Sequence, residues 1–226
     1  RQTSVLDYGA LVAEIKFNGT KGGAYSVELN IDTGTVVSGA YFTALKGNSG
    51  ASITFRQDDA DISFTGKDIK TADEQELFNI GFTYAAHEKT MLDQIGSDYK
   101  SFAYGFQHHG ALPGIATFSV STTLSSGETV NVYVFDASSG AFTLIAKGVT
   151  VGEKGIVTYQ NNTMSEYVIT TKTIPNAEQA AASADGSSGS LNTLIWIAGA
   201  FLVVLLAAIA LWIIVHKRKK ARSQLQ

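Results

Sequence analysis

Residues 130–144 read VNVYVFDASSGAFTL. Val130, Val132 and Val134 are separated by single residues, which is the period of a β-strand with one face in the core and one in solvent. The segment at 136–140, DASSG, is rich in residues that favour tight turns, and a second apolar run follows it. The stretch therefore predicts a β-hairpin.

The same alternation recurs through the rest of the first 170 residues. Its apolar positions are Ala13, Ile15 and Phe17; Tyr25, Val27, Leu29 and Ile31; Phe78, Ile80, Phe82 and Tyr84; Phe102, Tyr104 and Phe106; and Phe118 and Val120. Glycine-containing turn signals lie at 22–23, 47–48, 66–68, 126–127 and 153–155, and the last of them also predicts a hairpin. Many short strands with such turns favour a mainly β fold, specifically an immunoglobulin-like β-sandwich.

Two short helices interrupt the predicted strands. Residues 38–46 place Tyr41, Phe42 and Leu45 on one face, and Gly47 follows as a helix stop. Residues 87–95 group three apolar side chains in the same way before Gly96.

The chain has a long apolar segment near its C-terminus. Residues 194–215 read LIWIAGAFLVVLLAAIALWIIV and contain no charge. At about 1.5 Å per residue a helix of this length is about 33 Å long, enough to cross a hydrocarbon core of about 30 Å. Trp196 and Trp212, the two tryptophans of the chain, lie near its two ends, where indole rings favour the membrane interface. A single transmembrane helix is expected over 194–215.

The distribution of charge predicts the orientation of this helix. Residues 216–226 form a short tail that contains five basic residues and no acidic residue: Lys217, Arg218, Lys219, Lys220 and Arg222. Basic residues beside a span stay on the cytoplasmic side, so residues 1–193 are expected outside the cell. Those residues carry 12 Lys and Arg against all 20 Asp and Glu, a net charge of −8, which argues against nucleic acid as a partner.

The outer part divides into a folded region and a linker. Residues 176–190 read NAEQAAASADGSSGS and lack the large apolar side chains that a core requires, so we interpret residues 176–193 as a flexible stalk. Residues 1–175 are then the extracellular β domain. No cysteine is present, which excludes disulfides and cysteine-based sites and fits a bacterial surface better than an animal one. Because the chain begins at Arg1 without an export signal, we expect either a mature product or the C-terminal piece of a longer protein with further N-terminal domains.

Several segments resemble a known kind of module. They are residues 39–47 (GAYFTALKG), 62–69 (ISFTGKDI), 109–114 (HGALPG), 132–140 (VYVFDASSG), 155–159 (GIVTY) and 165–170 (SEYVIT). Over roughly residues 34–172 the chain resembles a β-rich module found near the C-terminus of many secreted and wall-attached proteins of Gram-positive bacteria, especially clostridia. The resemblance implies a β fold and a surface location. It implies no catalytic residue and no cofactor.

Asp32 is the one catalytic candidate in the sequence. Residues 32–35 read DTGT and follow an apolar strand, which is similar to the active-site loop of aspartic proteases, where two aspartates share a proton and activate water. A chain with one such loop would have to dimerise to supply the second aspartate. The alternative is a plain turn after a strand, for which Asp, Thr and Gly are common.

Metal binding has weak candidates. Asp58, Asp59 and Asp61 cluster carboxylates that calcium could use, but their spacing is not that of a defined calcium loop, and a solvated β-turn is the alternative. His108 and His109 are adjacent, so on a strand their side chains would point to opposite faces and would not share one ion.

Three functions remain open from the sequence. The first is a structural or adhesive module displayed at the outer face of a Gram-positive plasma membrane. The second is a receptor for an extracellular glycan or protein ligand, which a pocket lined by exposed Tyr and His in the outer loops would favour. The third is a membrane-anchored homodimeric aspartic protease that uses Asp32.

Overall fold

β-Strands make up most of the described chain, so the predicted mainly β class is confirmed. The structure, a computed structural model, describes residues 5–6, 24–175 and 177–179. The strands are β1 (Val5–Leu6), β2 (Tyr25–Asn30), β3 (Val36–Ser38), β4 (Ala51–Arg56), β5 (Ala60–Ile69), β6 (Leu77–Asn79), β7 (Phe82–Thr83), β8 (Ser101–Ser121), β9 (Thr129–Asp136), β10 (Ala141–Thr150), β11 (Ile156–Thr170) and β12 (Glu178–Gln179). The helices are α1 (Ala40–Leu45) and α2 (Glu88–Ile95), and a 3-10 turn covers Glu153–Gly155.

Two sheets are present within these residues. The larger has the order β12-β10-β9-β11-β8-β5-β4-β2, with β7 also paired to β8, and the smaller has the order β1-β3-β6. Most neighbours in the larger sheet are antiparallel, whereas β2 with β4 and β10 with β12 are parallel. Strand β8 is central because it pairs with β5, β7 and β11 in turn.

Alternate residues of the central strands belong to two different hydrophobic cores. Tyr104 and Phe106 of β8 lie in the main core, whereas Ala103 lies in a second core with Tyr133 and Phe135 of β9. Since side chains on a strand alternate between faces, this part of the larger sheet is covered on both faces. The second core is closed by α2 through its buried Met91 and Ile95.

The hairpin predicted at 136–140 is confirmed. Strands β9 and β10 pair antiparallel with Asp136 opposite Ala141, and Gly140 takes a φ of 69°, which favours glycine. Both predicted helices also form, and each is followed by a glycine of positive φ, Gly47 after α1 and Gly96 after α2.

The turn predicted at 66–68 is wrong, since these residues lie inside β5. The pairing of β5 with β8 shifts between Phe64 and Ile69, so the irregularity is a bulge and the chain does not reverse. Gly66 is needed for close packing here: a Cβ at this position would lie 2.2 Å from the backbone oxygen of Leu45, at the end of α1.

The second predicted hairpin, at 153–155, is also wrong. Strand β11 pairs with β8 and β9 and not with β10, and Ile156 lies opposite Ser121. The Thr122 side chain donates a hydrogen bond to the Gly155 carbonyl at 2.7 Å, which ties the start of β11 to the end of β8.

The run from Phe78 to Tyr84 is not the single strand that its alternation predicts. Phe78 pairs with Val37 in the smaller sheet, whereas Phe82 pairs with Phe106 in the larger one. The change occurs at Gly81, where a Cβ would lie 2.9 Å from the backbone nitrogen of Gly34. Tyr84 lies beyond the change and is 82% exposed.

Neither α1 nor α2 has the length and apolar composition needed to cross a lipid bilayer, and no other helix in the described part of the chain does. The predicted span at 194–215, with Trp196 and Trp212, lies outside the described residues. So do the basic tail, nearly all of the predicted stalk and the predicted strand around Ile15.

Candidate functional site

A cleft opens where α2 meets the central strands of the larger sheet. Gly105 of β8, Glu166 of β11 and Phe135 of β9 lie side by side in one row of the sheet. Gly105 has no side chain, and a Cβ there would lie 3.5 Å from the Cγ of Glu166. The cleft has a volume of about 470 Å3 and is lined by His87, His109, Val134, Phe135, Asp136, Ala137, Ser138, Ser165 and Glu166.

Glu166 is the polar centre of this cleft. Its side chain is only 9% exposed, and it stands on the same face of β11 as Val168 of the second core. A buried carboxylate requires hydrogen-bond donors, and here they come from one residue. The backbone N–H of His87 donates to Oε2 at 3.1 Å, and Nδ1 of the His87 ring lies 3.1 Å from both carboxylate oxygens.

This contact positions both the helix and the imidazole. His87 immediately precedes α2, so the carboxylate satisfies one of the backbone donors at the N-terminal end of the helix and lies at the favourable end of its dipole. The ring of His87 lies 6.0 Å from the ring of Phe135, centroid to centroid, and its side chain is 46% exposed. The imidazole is thus held from one side and open to the cleft on the other.

The irregular pairing of β11 places Glu166 at this position. The ladder between β11 and β8 shifts between Met164 and Glu166, and Ser165 lies in the shift. A bulge re-aims the side chains beside it, and both Ser165 and Glu166 line the cleft. In the sequence the only trace of this is one acidic residue in an otherwise apolar-rich run, MSEYVI at 164–169.

Asp136 lines the same cleft at the start of the β9–β10 turn. Its carboxylate accepts bonds from the Ser138 hydroxyl at 2.7 Å, the Ser139 hydroxyl at 2.7 Å and the Ser138 backbone N–H at 2.9 Å. These bonds stabilise the ionised form, first through the two hydroxyls, and lower the pKa of Asp136 from 3.8 to about 2. The turn therefore carries a fixed negative charge at the edge of the cleft.

We expect Asp136 to titrate at about pH 2, and its contribution to stability to be present above about pH 4 and lost as the pH falls towards 2. The carboxyl 13C shift, followed by NMR from pH 6 to pH 1.5, measures this titration. In the double variant Ser138→Ala and Ser139→Ala the midpoint should move up from about 2 in the direction of 3.8, because the two hydroxyl donors that stabilise the charge most are gone while the backbone donor of residue 138 remains. An unchanged midpoint would contradict the assignment of the cause.

The two adjacent histidines lie in different surroundings. The His108 ring packs 5.4 Å from Phe78 and its Nε2 lies 3.2 Å from the Ala111 carbonyl oxygen, whereas His109 is exposed and lines the cleft. His109 is brought to the same cleft as His87, a pairing that their distance in the sequence does not indicate.

Asp32 lies in a turn between β2 and β3 that is remote in the sequence from every residue of the cleft. Its backbone N–H donates to the Thr35 hydroxyl at 3.2 Å, and its carbonyl accepts from the Thr35 N–H at 2.9 Å. Gly34, with a φ of 96°, occupies the turn position that requires glycine. The geometry of residues 32–35 is thus explained by turn formation alone.

The acidic residues 58, 59 and 61 occupy the β4–β5 hairpin. Gln57 N–H donates to the Ala60 carbonyl to close the turn, and the Asp61 carboxylate lies 3.6 Å from the Arg56 guanidinium. Asp58 and Asp59 are exposed. Within the described residues no group of three or more His, Asp or Glu side chains is arranged to hold a metal ion.

Comparison of the chain with protein families, with curated proteins and with solved structures finds no match. The resemblance to the Gram-positive surface module thus remains an expectation from the sequence. What the chain does has to be inferred from its own residues.

Proposed function

We propose that this protein is a binding module displayed outside a cell, and that the cleft between α2 and the β9–β10 turn is its receptor site. The observation that carries the proposal is the convergence of polar side chains from four separate elements on one opening of about 470 Å3. Pockets of this size that combine apolar walls with a few placed polar groups are typical of ligand sites.

The walls of the cleft are anchored by packing and hydrogen bonds, which favours ligand binding over a purely structural role. Phe135 is 3% exposed and anchors one wall in the second core, while Glu166 and His87 fix the other wall by three hydrogen-bond contacts. A site whose groups are held in place before binding loses less entropy when the ligand binds.

The location outside a cell forms part of the same proposal. The apolar segment 194–215 and the basic residues after it support a membrane anchor with the β domain outside. The absence of cysteine and the resemblance to surface modules support a bacterial surface. An impermeant amine-reactive label applied to intact cells should modify Lys89, whose side chain is 88% exposed, and should leave Lys217 unmodified until the cells are lysed.

A binding screen with a blocked variant tests the receptor site directly. The full-length chain is screened on glycan and peptide arrays beside Ala137→Trp, which adds a large ring to an exposed lining position. Ser126→Trp adds the same ring to an exposed turn that does not line the cleft and is the matched control. We expect a saturable ligand that the control retains and Ala137→Trp loses. A ligand that both variants bind equally would place the function elsewhere.

A further inference from the structure

The cleft presents hydrogen-bond acceptors to its ligand. Asp136 and Glu166 both contribute carboxylates, which accept and do not donate when ionised. The Asp136 carboxylate is already held by three donors of its own turn, so its position and charge do not depend on a ligand.

The ring of His87 contributes a further acceptor. Its Nδ1 lies 3.1 Å from both oxygens of Glu166, so in the neutral ring Nδ1 carries the hydrogen and donates it to the carboxylate. The second ring nitrogen, Nε2, is then the lone-pair nitrogen of an imidazole that lines the cleft. Two acidic residues and one oriented imidazole therefore line the same cleft.

The lining of the cleft holds two carboxylates and no permanently charged cation. Its nine lining residues include neither Lys nor Arg. An anionic ligand would be repelled by both carboxylates, whereas a cation would be attracted by them. The surplus of acidic residues over residues 1–193 would also steer a positively charged partner towards the domain.

The lining does not offer the aromatic platform on which a sugar ring stacks. Phe135 is the one aromatic carbocycle among the lining residues, and it is 3% exposed. Tyr84, 82% exposed, does not line the cleft. The hydrogen-bond acceptors of the cleft thus suit a small group with several N–H donors better than they suit a sugar ring.

We propose that the cleft binds the guanidinium group of an arginine side chain on a polypeptide partner, with Glu166, Asp136 and Nε2 of His87 as its acceptors. The proposal rests on the proposed function of the cleft as a receptor site and specifies its ligand. A guanidinium carries five N–H donors in a planar fork, which suits two carboxylates better than the compact ammonium of lysine does. The apolar walls at Val134 and Ala137 suit the methylene stem of the same side chain.

The test uses a pair of peptides that differ in charge and hardly in shape. Acetyl-Ala-Ala-Arg-Ala-Ala-amide and the same peptide with citrulline in place of arginine are titrated into the full-length chain by calorimetry at low salt. We expect the arginine peptide to bind with a Kd about tenfold lower or better, equivalent to about 1.4 kcal/mol, and the difference to shrink in 0.5 M NaCl. Equal affinities would overturn the proposal.

Two conservative variants separate charge from structure. Glu166→Gln and Asp136→Asn each keep an oxygen that accepts the local backbone N–H while removing one negative charge. Each should weaken the arginine peptide about tenfold and leave the citrulline peptide unchanged. Hydrogen exchange in α2 should match the parent chain, which shows that the site is still folded. Weakening of both peptides alike would mean a loss of structure and would count against the proposal.

The outcomes distinguish this inference from the proposed function. If Ala137→Trp removes binding of a neutral array ligand and the arginine peptide does not bind, the receptor site stands and the arginine inference is overturned. If free spermidine binds as tightly as the arginine peptide, the polypeptide partner is overturned in favour of a small polyamine. If no ligand is lost in Ala137→Trp while Ser126→Trp behaves as the parent, both proposals fail.

Discussion

Phe42→Ala should lower the free energy of unfolding by about 3–5 kcal/mol, the usual cost of removing a buried phenylalanine ring. Phe42 is fully buried on α1, and its ring meets three others edge-on: Phe64 at 4.8 Å, Phe78 at 5.2 Å and Phe55 at 6.3 Å between centroids. These rings come from β5, β6 and β4, so the substitution leaves a cavity where α1 joins both sheets. Denaturant unfolding followed by fluorescence or circular dichroism measures the change.

The matched control lies on the same segment. Lys46→Ala alters the exposed residue that follows α1 and should change stability by no more than about 0.5 kcal/mol. A loss below about 1.5 kcal/mol for Phe42→Ala would show that the neighbouring rings collapse into the space. The aromatic side chains between α1 and the two sheets would then repack more easily than their edge-on contacts suggest.

The sequence predicts best where local chemistry alone determines the structure. The hairpin at 136–140 forms because its own Asp, Ser and Gly residues supply the turn, and both helices end at glycines with positive φ. Alternation predicts the core-facing residues of β2 and of residues 116–121 in β8. It does not predict burial in β9, where residues 130–133 are all buried, or at the end of β11, where residues 166–170 are all buried, because the sheet is covered on both faces there. The predicted apolar positions Tyr104, Phe106 and Phe118 are all buried in the main core.

Prediction fails where distant segments determine the path of the chain. Gly66 resembles a turn residue but lies inside β5, where a Cβ would meet the backbone of Leu45. Gly155 does lie in a 3-10 turn, with a φ of 77°, but a Cβ there would also meet the backbone of Thr122. At Gly81 the contact with Gly34 moves the chain from one sheet to the other in the middle of an alternating run. Close approach and a tight turn select the same residue, so a single sequence does not distinguish them.

The cleft cannot be predicted from the sequence either, because segments that are distant in the sequence form it. His87 and Glu166 are 79 residues apart, and neither belongs to a motif. The candidates that the sequence does single out, Asp32 and the acidic group at 58–61, lie in tight turns whose hydrogen bonds account for their residue types. Turn chemistry is local and produces short patterns, whereas a cleft assembled from four elements leaves no pattern in any one of them.

Met91→Ala should lower the free energy of unfolding by about 2–5 kcal/mol, as expected for a buried methionine. It should also weaken the contact between His87 and Glu166 that forms one wall of the cleft. Met91 is fully buried beneath α2, and with Ile95 it is one of two buried side chains on that helix. The helix is eight residues long, too short to be stable without packing. Because His87 immediately precedes α2, loss of this packing should free the imidazole from Glu166.

Amide hydrogen exchange resolves this effect along the chain. Protection should fall in α2 and at the amide of His87 more than in β4 or β5, which belong to the main core and not to the second core. Thr90→Ala, at an exposed position of the same helix, is the control and should leave the exchange pattern unchanged. If Met91→Ala instead lowers protection evenly through all strands, the two cores unfold as one cooperative unit, and the cleft wall cannot loosen separately from the sheet. If protection of the His87 amide survives while α2 frays, the carboxylate of Glu166 holds that residue without help from the helix.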